Sequence, residues 1–464
     1  MSNKEFGEEK ISRLLIKFSI PVIISMLVNE LYNMVDTFFI GRTVGGEGIA
    51  AIIAVFPFQR IIVALSVMIA VGAMTSFSRY NGQKDYDKAK EVLNSGFSMI
   101  LAVMAPIVLL VMFFKQNIIG IIGAGEVVEA LASEYLGIIS FGVIFLGLTV
   151  YISHTMIALG NTRVSIISTS LGALTNIIFD YILVINYGMG IKGAAISTTV
   201  SQIVGFIYAF YKFKEMKKEY GISLKLNINP SYIIPILLVG ISSFVIEAED
   251  GILMGNLSSL LAGTIGDEGL VILGVVSKVY MFLFIPIFGI AQAMQPIAAY
   301  NLGANKLGRL KKLMSKTIMF SLVASTVLWI FSLIFAPNMI SLFIQDEAII
   351  EDAAFAFRIM ISAFPLLSVY YVSIFYFQAM GKAKTSILTA VLRQLVIMLP
   401  ISILLVKGLN FGSLGVWLSY PISDFLASLA AFMLIRNEGI ELNVQINVQR
   451  QKAEEKALIT RNNM

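Results

Sequence analysis

The chain has 464 residues, of which 57% are hydrophobic and only 14% charged, with a mean hydropathy of +0.84 and a formal net charge of +5. Soluble domains carry about 25% charged residues, so an ordinary soluble fold is excluded. Cysteine is absent, which rules out disulfide frameworks, thiolate metal sites and thiol nucleophiles.

Apolar runs of about 20 residues, each able to cross a ~30 Å hydrocarbon core, recur from end to end. Charged and Gly/Pro-rich breaks place the first six at 14–40, 52–78, 91–114, 131–156, 165–187 and 193–213. The next six fall at 232–256, 270–299, 313–335, 352–379, 386–406 and 414–435. The short alternating segments of a membrane β-barrel do not occur. The reading is an all-α polytopic membrane protein with twelve transmembrane helices. The first apolar stretch is long and contains Glu30 and Asp36, so it is expected to remain as a span rather than be cleaved. Pro57, Pro106, Pro286, Pro365, Pro400 and Pro421 lie inside spans, where each removes a helix hydrogen bond and favours a bend.

Lys and Arg set the orientation. Of 34 basic residues, 26 fall on the side of the membrane that holds both termini and four on the other, namely Arg42, Lys115, Lys192 and Lys407. The positive-inside rule then puts both termini in the cytoplasm, and the protein is expected in the inner (plasma) membrane. It also accounts for the basic pI without a nucleic-acid partner. Arg60, Lys278, Arg358 and Arg393 fall within spans. For Arg60 and Lys278, snorkelling competes with pairing to a buried acid.

The chain is written twice. Pro21, Asp36 and Gly41 recur as Pro235, Asp250 and Gly255 at an offset of 214. Tyr80-Asn81 recurs as Tyr300-Asn301 at 220, Gly160 as Gly381 at 221, and Gly193 as Gly415 at 222. Six spans per half is an even number, so the halves are parallel repeats. The expected organisation is a six-helix bundle over 1–213, a cytoplasmic linker over 214–230, a second bundle over 231–436 and a cytoplasmic tail over 437–464. Two bundles that rock about a central cavity suit alternating access better than a channel or a membrane enzyme. Neither a filter-like loop nor a catalytic constellation is present, so no enzyme activity is expected.

A carboxylate inside a span costs roughly 2.5–3.5 kcal/mol on insertion scales, and such groups ordinarily serve an ion or substrate. Asp36 in the first span and Asp180 in the fifth reach similar depth, counted at 1.5 Å per residue. Asn176, four residues before Asp180, shares its helical face, and Thr198 can join from the sixth span. This oxygen-rich set suits a shared proton or a bound Na⁺, and the sequence leaves both open. In the seventh span Glu247 and Asp250 share a face by i,i+3 spacing and form a candidate second cation or substrate site, with Glu249 pointing elsewhere. Glu30 and Asp424 are further intramembrane acids without an assigned role. His154 reads as a structural hydrogen-bonding residue. No phosphate-binding glycine loop appears, so neither ATP nor any other cofactor is expected.

Several stretches carry a family resemblance: LYNMVDTFFIG in the first span, IALGNTR after the fourth, NIIFDYILV in the fifth and GMGIKGAAIST entering the sixth. In the second half they are GIAQAMQPIAAYNLGA and FQAMGKAKTS. In order and in combination, they resemble the multidrug and toxic compound extrusion (MATE) family, nearest its DinF-like and MepA-like bacterial branches. The resemblance implies two six-helix bundles around a central cavity. It also implies export of organic cations or amphiphilic drugs in exchange for H⁺ or Na⁺. The family's N-terminal cation site maps onto Asp36, Asn176, Asp180 and Thr198, and a span-7 glutamate used in some branches maps onto Glu247. The expected partners are small organic cations and membrane lipid, with the protein a monomer. The alternative is a lipid-linked oligosaccharide flippase of the same superfamily, which would favour Arg/Lys in the cavity.

Overall fold

The computed structural model describes residues 4–120, 125–220 and 224–462, and among them it is helical with no strand. In hydrocarbon a backbone must satisfy its own hydrogen bonds, and a helix does so within one segment. After a short helix at Lys4–Glu8 come α1 (Ile11–Thr43), α2 (Gly46–Gln83), α3 (Tyr86–Gly120) and α4 (Glu126–Ala158). Next are α5 (Arg163–Asp180, continued by a π-helical turn over Tyr181–Asn186) and α6 (Gly190–Tyr220). The second half holds α7 (Pro230–Ile265), α8 (Asp267–Gly303), α9 (Leu307–Ile340) and α10, which is broken into Glu347–Met360 and Leu367–Met380. Last are α11, which alternates α and π turns from Ala383 to Gly408, and α12 (Ser413–Asn462).

Among the described residues eleven helices are long and apolar enough to cross a membrane, and the two pieces of α10, bent by 44°, make a twelfth span when taken as one. The break in α10 follows from Pro365, which sits in a 3₁₀ turn over Phe364–Leu366. Pro400 likewise stands between two π turns. By contrast Pro57, Pro106, Pro286 and Pro421 lie within uninterrupted helices.

The helices outrun the apolar limits read from the sequence, because polar residues at their ends are good helix formers once the chain leaves the hydrocarbon. The segment 437–462 is thus helical, a direct extension of α12. It is held by Lys382 to Glu438 and Glu441, by Lys311 to Asn443 and by Gln449 to Asn305. Within the linker, residues 217–223 lie outside the residues whose side chains are described. Its last part is strapped to α3: the backbone N–H groups of Lys225, Asn227 and Asn229 donate to Asn94, Ser98 and Ser95 at 2.8, 2.9 and 3.1 Å.

Contacts divide the chain into two compact units, Lys17–Ser78 with Asp85–Ile252, and Ser2–Ile16 with Arg79–Lys84 and Leu253–Met464. These are a different division from the repeat halves, since the cuts fall inside α1, α2 and α7. In the first unit one apolar cluster draws on all six helices of the N-terminal half, including Ile40, Val55, Val111, Leu136, Val184 and Ala194. In the second unit α8 packs on α9 and α10, and α10 packs on α11 and α12.

The repeat is written in the backbone more plainly than in side chains. Among the described residues every positive φ has a partner one repeat later: Gly45 and Gly266, Lys84 and Asn305, Gly160 and Gly381, Gly188 and Asn410, Gly190 and Gly412. The π turns at Tyr181–Asn186 and Leu404–Gly408 also correspond. Gly82 and Gly303 correspond at 221. A Cβ on Gly82 would overlap the carbonyl oxygen of Tyr300, and one on Gly303 would overlap that of Arg79, so two backbones touch reciprocally. This register corrects the Tyr-Asn match at 220, which is one residue out. The dipeptide identity survives without marking equivalent positions.

Candidate functional site

Asp36 lies on α1 and Asp180 on the last α-helical residue of α5, where the π turn begins. Both are buried, as are Asn176 and Thr198. The two carboxyls interact with one another, so the first unit brings together the pair expected from the sequence. The Tyr135 hydroxyl, from α4, donates to Asp36 Oδ2 at 3.4 Å. The Tyr32 hydroxyl donates to Thr198 Oγ1 at 3.3 Å. Tyr32 precedes Asp36 by one helical turn, so it links Thr198 to the α1 face that carries the acid.

The set is polar but poorly satisfied. Asp36 Oδ1, both Asp180 oxygens and both amide atoms of Asn176 are buried without a hydrogen-bond partner. Ser197 is a further polar neighbour of Asp180, but its hydroxyl donates to the Gly193 carbonyl at 3.0 Å. Buried polar groups are normally paired, and an orphaned one costs about 1–3 kcal/mol. Two adjacent buried carboxylates cannot both stay charged without a proton or cation between them. The chemistry of the donor set therefore suits one small cation or a proton.

The α7 acids are arranged differently. Glu247 Oε2 meets Arg60 Nη1 at 3.5 Å, and both side chains are partly exposed. The guanidinium also lies over Phe56, 4.8 Å from the ring centroid. Arg60 is thus paired with an acid, as one of the two sequence readings had it, although that acid is partly exposed rather than buried. Asp250 is exposed, and the buried acid of this helix is Glu249, which i,i+3 spacing had set aside. His154 Nδ1 lies 2.9 Å from the Val150 carbonyl, a local helix bond in keeping with a structural role.

Tyr32, Tyr135 and Ser197 were not read from the sequence as site residues. Tyr32 had a usable signal, its i,i+4 spacing to Asp36. Tyr135 had none, since only packing of α4 brings it to α1.

A model of the MatE family matches residues 21–182 and 252–404 of this chain. A relative described as "Multidrug export protein MepA", from Staphylococcus aureus, is 28% identical over 433 residues, covering 93% of this chain and 94% of its own length. A protein of the same description from Staphylococcus saprophyticus is 26% identical over 437 residues, with the same coverage. Among solved structures, an outward-facing multidrug resistance MATE family transporter of the MOP superfamily aligns with a TM-score of 0.90 at 23% identity, over 96% of this chain and 99% of that one. A MOP superfamily transporter from Pyrococcus furiosus aligns with a TM-score of 0.89 at 23% identity, over the same shares. The structural matches establish the fold.

Proposed function

This chain belongs to the MatE family, and we propose that it is a multidrug exporter of the membrane that expels organic cations and amphiphilic compounds in exchange for H⁺ or Na⁺. The export function rests on the MepA-described relatives, which align along nearly the full length of both chains. Transport rather than catalysis is the activity of such a protein.

One observation carries the coupling reading: the buried Asp36–Asp180 pair, with Asn176 beside it and its polar atoms left without protein partners. Binding a cation or proton there balances charge that the fold leaves unbalanced. Release of that ion restores the repulsion, and the difference is what a gradient can drive. Asp36, Asp180, Asn176 and Thr198 load the coupling ion, and no other cofactor takes part. Glu247, poised against Arg60, supplies an acidic contact for a cationic substrate, with Asp250 on the same helix beside it. The protein acts as a monomer in the plasma membrane, with both termini cytoplasmic and without a nucleic-acid partner.

Asp36→Asn and Asp180→Asn remove the ionisable group at nearly constant volume, and a neutral amide is cheaper to bury than a carboxylate. Each is expected to abolish gradient-driven dye efflux from proteoliposomes while leaving expression and insertion intact. Asn176→Ala weakens coupling less, and Thr198→Ala matters more under a Na⁺ gradient than under a pH gradient. Normal efflux by the double Asp variant sinks the proposal. Movement of a lipid-linked glycan with no dye movement replaces it with a flippase.

A further inference from the structure

The second unit holds a buried ionic centre of the opposite design. Arg393 Nε donates to Asp424 Oδ1 at 2.7 Å, and the two side chains are 3% and 0% exposed. Arg393 Nη2 donates to the Tyr280 hydroxyl at 2.7 Å and Nη1 to the Tyr371 hydroxyl at 3.3 Å. Four helices meet there: Tyr280 comes from α8, Tyr371 from α10, Arg393 from α11 and Asp424 from α12. Tyr280 also packs edge-on against Phe364 and Tyr420, and Tyr371 against Phe284, so the centre is enclosed by aromatic rings.

Arg393 sits in the π turn Leu392–Met398. The corresponding stretch of α5, 222 residues earlier, is α-helical. Of the π turns in α11, this is the one the repeat does not share. Single π turns inside α-helices are frequent at functional sites. Asp424 Oδ2 is buried and without a hydrogen-bond partner, so the carboxylate has capacity left for a cation but already has one tethered to it.

We propose that Arg393 is a tethered counter-ion that keeps Asp424 charge-balanced throughout transport, so that Asp36 and Asp180 alone load the coupling cation. In the first unit two acids face each other and, among the described residues, no basic side chain is a hydrogen-bond partner of either, so balance must come from outside. In the second unit the positive charge is covalent, and its planar fork is directed by the carboxylate and two hydroxyls. A lysine would be a poorer substitute there, since it lacks the fork. Arg393 thereby determines how many ions move per cycle. The inference rests on the coupling role proposed for Asp36 and Asp180.

The test is dye efflux in proteoliposomes, measured against Na⁺ and H⁺ concentration separately, with dye binding and insertion checked for each variant. Arg393→Met/Asp424→Asn removes both charges together, which a buried pair tolerates far better than losing one partner. It is expected to keep efflux within about threefold of the native rate with an unchanged ion dependence. Arg393→Met alone leaves a lone buried carboxylate, so efflux should fall at low ion concentration and recover, more steeply than in the native protein, as Na⁺ or H⁺ is raised. Arg393→Lys retains the native ion dependence.

A double variant that inserts and binds dye but no longer follows the gradient overturns the proposal, because Asp424 then carries a coupling ion. An Arg393→Met variant with native ion dependence also overturns it. If that variant fails to insert, the double variant decides alone. Gradient-driven efflux surviving in Asp36→Asn/Asp180→Asn instead refutes the coupling reading, whatever the Arg393 variants do.

Discussion

At the scale of single residues, a buried charge is informative through its neighbours. Asp36 and Asp180 have each other, and Asp36 has the Tyr135 hydroxyl; Glu247 and Asp424 have arginines. The same residue type thus plays two roles, set by whether the fold supplies the positive charge. Tyr135→Phe tests the first role without touching an acid. It removes a donor that favours the ionised carboxylate, worth about 1 kcal/mol, so the pair should take up a proton roughly fivefold more readily. Activation at a lower H⁺ concentration is the expected result in efflux titrations. An unchanged titration would remove Tyr135 from the site.

At the scale of elements, the glycines separate close approaches from open ones. Gly303 and Gly82 lie where backbones touch, and no neighbour can yield because the obstacle is a carbonyl oxygen of another helix. Gly303→Ala is expected to lower the melting temperature in detergent, at a cost of about 1–3 kcal/mol. Gly274, on α8 with nothing near its missing Cβ, should respond oppositely. Gly274→Ala gains helix propensity, up to about 1 kcal/mol. The extension of α12 is clamped by an ion pair. Partial burial disfavours the Lys382 ammonium, but its hydrogen bonds to Glu438 and Glu441 outweigh this and hold it above the usual lysine range. A raised folded-state pKa means the clamp is fully present below the ordinary lysine pKa and is lost as pH rises through the raised value. Hydrogen exchange over 437–455 should therefore stay slow at neutral pH and quicken only in alkali. Lys382→Met should make it fast at neutral pH, and slow exchange in that variant would refute the clamp.

At the scale of the whole molecule, the charge bias makes a topological prediction. Because the native chain has no cysteine, single cysteines report accessibility without background. Cysteines replacing Lys214 and Glu455 should resist impermeant reagents in intact cells, and those replacing Glu126 and Lys407 should label. The opposite pattern reverses the orientation. The backbone evidence for duplication belongs to this scale too. Five pairs of positive-φ residues recur, three of them glycine in both halves, because a turn that needs φ > 0 fixes the backbone and favours glycine there.

The sequence by itself determined the membrane class, the helical fold, the twelve spans and their duplication. These depend on length, hydropathy and turn residues, which are local properties and are read along the chain. It also found the two acids, since a carboxylate in an apolar run is conspicuous wherever it later faces. Their convergence, by contrast, is a property of helix rotation and packing. So are the pairing of Arg60 with Glu247 rather than with solvent, the choice of Glu249 as the buried acid of α7, and the closure of Arg393, Asp424, Tyr280 and Tyr371 into one centre. A half-turn of rotation changes which of three nearby acids is buried, and periodicity alone does not fix that angle in a helix apolar on every side. Only tertiary structure decided which charges are balanced from within and which wait for an ion.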